Sequence, residues 1–173
     1  MPIESAIPNP ARLRRGPFDL RLLIVGAAAV FVCCPTLAAP RNAPAPPAVS
    51  EADQAVLAGP WKGTWTGHNY RYEGTLALTV DTTGEVEGSI NWTLRGAPSA
   101  AGAKKVGTNA VEYVRGRYYP DSGTLSLEGY NKADPNGIWE LDKYLLVVSP
   151  TRQSMGGITD DHGTWTGQFL LTR

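Results

Sequence analysis

His68 and His162 are the only histidines in the 173-residue chain. Each stands beside further ligand atoms: Asn69 follows the first, and Asp160 and Asp161 precede the second. Two imidazoles with carboxylates form a donor set for zinc or another divalent ion. Both histidines also occupy turn-like segments, where polar residues are ordinary and a two-ligand site lacks supporting contacts. A metal site at His68 and His162 is therefore one reading, and a pair of solvated turn histidines is the other. No cofactor is implied, since neither histidine is expected to face a pocket as haem ligation requires.

The carboxylates are scattered. Glu85 and Glu87 are two residues apart, as are Glu140 and Asp142, and such pairs point the same way along a strand. Glycoside hydrolysis instead needs two carboxylates across a cleft, one with a raised pKa. Both pairs read as solvated strand faces. The serines show no nucleophile elbow. The two cysteines, Cys33 and Cys34, lie together near the N-terminus, so the chain beyond them offers no thiol nucleophile, disulfide or cysteine metal site. The chain is read as non-enzymatic, with no catalytic residue assigned.

Aromatic residues are the richer resource, with five Trp and seven Tyr. Most Trp positions share the parity of apolar neighbours, so core packing is their default role. Trp65, Trp92, Trp165, Tyr70 and Tyr72 are the candidates for contact with a ligand. Tyr70 and Tyr72 flank Arg71 and suit a rim where an aromatic body meets water.

The N-terminal segment has a different character. "ARLRRGPFDLR" is basic, "LLIVGAAAVFVCC" is apolar and "PTLAAP" offers a small-residue exit, the pattern of a secretory signal peptide over residues 1–39. The apolar run is short for a membrane span, which needs about 20 residues; an uncleaved anchor is the alternative. Removing this segment takes four Arg and two acidic residues from totals of 16 and 16, leaving twelve basic against fourteen acidic. A slightly acidic chain argues against nucleic-acid and anionic-membrane partners. A periplasmic or secreted location follows. Residues 40–59 read as a Pro/Ala-rich linker, in which Ser50 and Asp53 cap a short helix that ends near Gly59 and Pro60 and covers one end of the following domain.

From Trp61 onwards the apolar period is two. Leu76, Leu78 and Val80 share one face, and Val86, Gly88, Ile90, Trp92 and Leu94 share another. Short turns separate about eight such strands over residues 60–173, with no helical crossover, so neighbours pair antiparallel. The expected fold is an all-β, antiparallel up-and-down barrel. "GTWTG" occurs at Gly63–Gly67 and again at Gly163–Gly167. It reads the same in both directions, so the first and last strands are expected to close the barrel with Trp65 opposite Trp165. That register faces His68 with His162 and turns Trp61, Trp65, Trp165 and Phe169 inward.

A "GTWTG" strand opening a meander of short strands resembles the calycin-type barrels, the avidins and lipocalins. The resemblance implies a barrel with room for one small ligand. It carries over no binding residue: the polar residues with which avidins hold biotin have no counterpart here, and the lipocalin signature after the first Trp is missing. The leading expectation is an exported, non-catalytic binding protein that takes a small apolar or amphipathic ligand in the barrel, or a protein or glycan on its loops. The alternative is a structural or interaction module with a filled interior. A cavity of roughly 300 Å³ or more favours the first, a filled interior favours the second, and buried carboxylates favour an enzyme.

Overall fold

The computed structural model describes residues 47–173 apart from His162 and Thr164. The expected signal segment and most of the linker's first half lie outside the described residues. The rest forms a closed barrel of eight antiparallel strands in up-and-down order. These are β1 (Trp61–Gly67), β2 (Tyr70–Val80), β3 (Glu85–Gly96), β4 (Asn109–Tyr119), β5 (Thr124–Ala133), β6 (Asp142–Val148), β7 (Ser154–Asp161) and β8 (Thr166–Thr172). Alternation decides what each strand buries. Val86, Ile90, Trp92 and Leu94 of β3 are all buried, as are Leu76 and Leu78 of β2.

β1 and β8 do close the barrel, but in a different register from the palindromic one. Trp65 pairs with Phe169 and Lys62 with Thr172, so the two GTWTG copies are offset by four residues. The offset has a steric reason. Trp65 lies diagonally over β8, where a Cβ on Gly167 would stand 2.4 Å from its indole ring. Setting Trp65 against Trp165 would force two indoles into the space that one now fills. Trp61, Trp65 and Phe169 face inward as expected, while Trp165 lies beyond the start of β8 and is 43% exposed.

The two ends of the barrel differ. At one end the short turns β2–β3, β4–β5 and β6–β7 surround a helix, α1 (Glu51–Leu57). Ser50 caps it, its hydroxyl accepting the Asp53 N–H at 3.1 Å. Helix α1 plugs this end: Val49 and Leu57 are buried in the core cluster, the Trp61 indole donates to the Leu57 carbonyl at 3.3 Å, and Asp53 pairs with Arg152 of the β6–β7 turn at 2.6 Å. The opposite end carries the tight His68-Asn69 turn and the two long loops, 97–108 and 134–141. Both turn residues have positive φ, 48° and 64°, as a two-residue hairpin turn between twisted strands requires. This is the open end.

The register is testable by cross-linking. Thr64 and Leu170 are directly paired, so the double variant Thr64→Cys/Leu170→Cys should oxidise readily to an intramolecular disulfide. Thr64→Cys/Thr166→Cys, the pair of the palindromic register, should not, because four residues of offset separate the Cα atoms by roughly 13 Å. Cross-linking of the second pair in preference to the first would contradict the observed seam.

Candidate functional site

The open end holds a pocket of about 480 Å³, lined by residues of β1, β2, β3, β6 and β7 together with both long loops. Its floor is aromatic. Trp65, Tyr72 and Trp139 all line it, with ring centroids 4.7–5.6 Å apart and interplanar angles of 74–86°. Three mutually perpendicular rings form a corner. Tyr70 and Trp165 extend the wall to the rim, their centroids 5.5 Å apart. Below the corner, Trp92 stacks on Trp139 at 4.1 Å, and from there to α1 the interior is packed with Trp61, Leu76, Ile90, Leu125, Leu146 and Phe169.

Of the aromatic candidates, Trp65, Tyr70, Tyr72 and Trp165 line the pocket. Trp92 is fully buried one layer down. Trp92 is thus not a pocket-lining residue, and Trp139, which was not among the ligand-contact candidates, lines the floor instead. The segment "IWELDKYLLVVS" reads as one long strand, yet β6 begins only at Asp142, and Ile138 and Trp139 belong to the loop that folds back into the barrel mouth.

The reason for that fold is a buried carboxylate. Glu112 is an inward residue of β4 between Ala110 and Val114 and has no exposed surface. Its Oε2 accepts the indole N–H of Trp92 at 3.1 Å and of Trp139 at 2.8 Å, and the Tyr144 hydroxyl. Its Oε1 accepts the Asp142 backbone N–H at 3.0 Å. The set is four donors and no acceptor, which suits an ionised carboxylate. Burial raises the Glu112 pKa above its ordinary value, and these donors offset part of that rise. The carboxylate reaches Asp142 only because position 129 is glycine: a Cβ there would lie 2.0 Å from Oε1. The β5–β6 ladder runs from Thr124 to Glu128, so beyond it Glu112 supplies the acceptor that strand pairing no longer provides.

Asp142 is the second carboxylate. It was expected on a solvated face with Glu140, but it points inward with Tyr144, Leu146 and Val148 and is 7% exposed. The misassignment has a plain cause: Leu145 and Val147 on the opposite face are also apolar, so parity in this strand is ambiguous. Only Glu140 is exposed, paired with Lys132 at 2.8 Å. Asp142 lines the pocket, and its pKa is pushed up to about 7, first by burial and then by the neighbouring Glu112 charge, with the Thr159 hydroxyl opposing. The same Thr159 accepts the Trp65 indole N–H at 2.7 Å. A polar chain therefore runs from Trp65 through Thr159 to Asp142 and on to Glu112.

Chemically, Asp142 can exchange a proton near neutral pH at the pocket surface. Glu112 lies beneath Trp139, with its lone pairs occupied, and does not reach the pocket. Two buried carboxylates are the feature expected to favour an enzyme, yet of this pair Asp142 alone lines the pocket, so the glycosidase arrangement, with both groups flanking one bond, is not formed.

His68 stacks on Trp165 at 4.6 Å, and its Nε2 accepts the Thr166 N–H at 3.4 Å. His162 lies outside the described residues, and the register that faced it with His68 is replaced by the observed one. Among the described residues no group of three metal-ligating side chains comes together. A second hollow, of about 680 Å³, lies against the outer faces of β3 to β7. Its rim carries opposite charges such as Arg117 and Glu85, paired at 2.8 Å, and it lacks the aromatic walls of the barrel mouth. No family model, curated protein or solved structure matches the chain.

Two outcomes follow. Glu112→Gln places an amide NH₂ among four donors and should lower unfolding free energy by about 2–5 kcal/mol in urea titration; a loss under about 1 kcal/mol would contradict the network. For Asp142 the raised pKa means that the folded state keeps a proton the unfolded chain releases. The stability it contributes is complete below the ordinary value of 3.8 and is lost as pH rises through about 7. Asp142→Asn should therefore leave the melting temperature nearly unchanged at pH 4 and raise it by roughly 10 °C at pH 8.

Proposed function

We propose that the protein is an exported, non-catalytic binding protein whose small ligand sits in the open mouth of the barrel. The observation that carries this reading is the aromatic-walled pocket of about 480 Å³, at the end left open while α1 fills the other. A floor of Trp65, Tyr72 and Trp139 excludes water, and Asp142, Asp161 and Lys105 stand around it as orienting polar groups. Burying about 200 Å² of apolar ligand surface would contribute about 5 kcal/mol before ordering costs. Export rests on the signal-like sequence of residues 1–39.

The tightly packed interior below Trp92 favours a second reading, a structural or interaction module that needs no ligand. The two separate by titration with the neutral fluorescent probe N-phenyl-1-naphthylamine. A binding pocket should give saturable 1:1 enhancement at micromolar probe. Ala101 is an exposed residue of the pocket wall, so Ala101→Trp should fill the mouth and abolish the enhancement without lowering the melting temperature. No enhancement in the native protein would favour the module.

A further inference from the structure

We propose that the ligand of the open-end pocket is a small organic cation, an alkylammonium whose head sits in the corner of Trp65, Tyr72 and Trp139 beside the Asp142 carboxylate. This rests on the pocket being a binding site and specifies its ligand class.

Two independent features of the pocket converge on that class. The first is the corner itself. Trp65, Tyr72 and Trp139 line the pocket with their centroids within 5.6 Å of one another and their planes near-perpendicular, while Trp92 covers one face of Trp139. A cation gains from the negative face of each ring it meets, whereas an anion is repelled by it. The alkyl tail of such a ligand would run along Tyr70 and Trp165 to the rim.

The second is charge that the protein has not balanced. Among the described residues, three acidic side chains line the pocket, Glu140, Asp142 and Asp161, against one base, Lys105. Glu140 is paired with Lys132, and Lys105 is tied to the Gly137 carbonyl at 3.1 Å. Asp142 is more than nine-tenths buried and pairs with no basic side chain among the described residues. Beneath it the Glu112 carboxylate is held by four hydrogen-bond donors, and among the described residues no basic side chain pairs with it. A buried carboxylate without a counter-ion is costly, and an ammonium group in the corner supplies that counter-ion.

The charged groups around Asp142 are mostly acidic. Glu112 on β4 and Asp161 and Asp160 on β7 raise its pKa, and the Thr159 hydroxyl opposes them; Tyr144 and Tyr72 are held neutral by their own raised pKa values, and Lys105 is the basic residue of the pocket wall among the described residues. Burial and these neighbours hold Asp142 partly protonated near neutrality. A bound cation favours its ionised form and releases the proton, so affinity should rise by about tenfold between pH 6 and pH 8.

The test is calorimetric titration of the protein with hexyltrimethylammonium, 1-hexanol and hexanoate at pH 6 and pH 8, alongside Asp142→Asn. The expected result is that the cation binds at pH 8 at least tenfold more tightly than either comparison ligand. Asp142→Asn should weaken the cation about tenfold and remove its pH dependence. If hexanol or hexanoate binds as tightly as the cation, the cationic class is wrong while the pocket remains a binding site. If none of the three binds, both readings fail. Unchanged cation affinity in Asp142→Asn would place the cation elsewhere and overturn the assignment.

Discussion

One carboxylate inside an apolar barrel sets the shape of the open end. Burying Glu112 without partners would cost several kcal/mol, so every group around it is arranged to donate. Trp92 comes from β3, Tyr144 and the Asp142 N–H from β6, and Trp139 from the loop between β5 and β6. Those four donors join segments that the strand ladder leaves apart, because β5 and β6 pair only between Thr124 and Glu128 on the β5 side. Gly129 keeps the passage open for the carboxylate. Remove the acceptor, and neither the stacked pair Trp92–Trp139 nor the start of β6 has a reason to sit where it does.

The pocket inherits its order from this node. Trp139 is a loop residue, and loop residues are ordinarily mobile. Here its indole is bonded at one edge, stacked on Trp92 and set near-perpendicular to Trp65 and Tyr72. A ligand would thus meet a surface already in place, with little side-chain entropy left to lose. The opposite end needs no such device. There α1 lays Leu57 across the barrel and the turns are short.

Much of this architecture was legible in the sequence. Period-two alternation in β2 and β3, the Ser50–Asp53 cap, the eight short strands and the pairing of first with last follow from local rules. The register did not, because a palindrome argues for symmetry while packing responds to volume, and Trp65 needs the space above Gly167. Of the pocket, Trp65, Tyr70, Tyr72 and Trp165 were readable as aromatics near turns. Trp139 was hidden by a strand-like run that turns out to be a loop. Glu112 was missed, although Ala110, Glu112, Val114 and Tyr118 share one parity, and an acid on the inward face of a strand is the signal that would have found it. Asp142 was misplaced because β6 is apolar on both faces. No local rule places a carboxylate beneath an indole contributed by another segment.

The most direct measurement is a nitrogen–proton correlation spectrum of the five Trp indoles during titration with hexyltrimethylammonium. The account predicts that the indole signals of Trp65, Trp139 and Trp165 move together and saturate, while that of Trp61, bonded to Leu57 at the plugged end, stays in place. Indoles that do not respond, or a shift centred on Trp61, would contradict a binding site in the open mouth of the barrel.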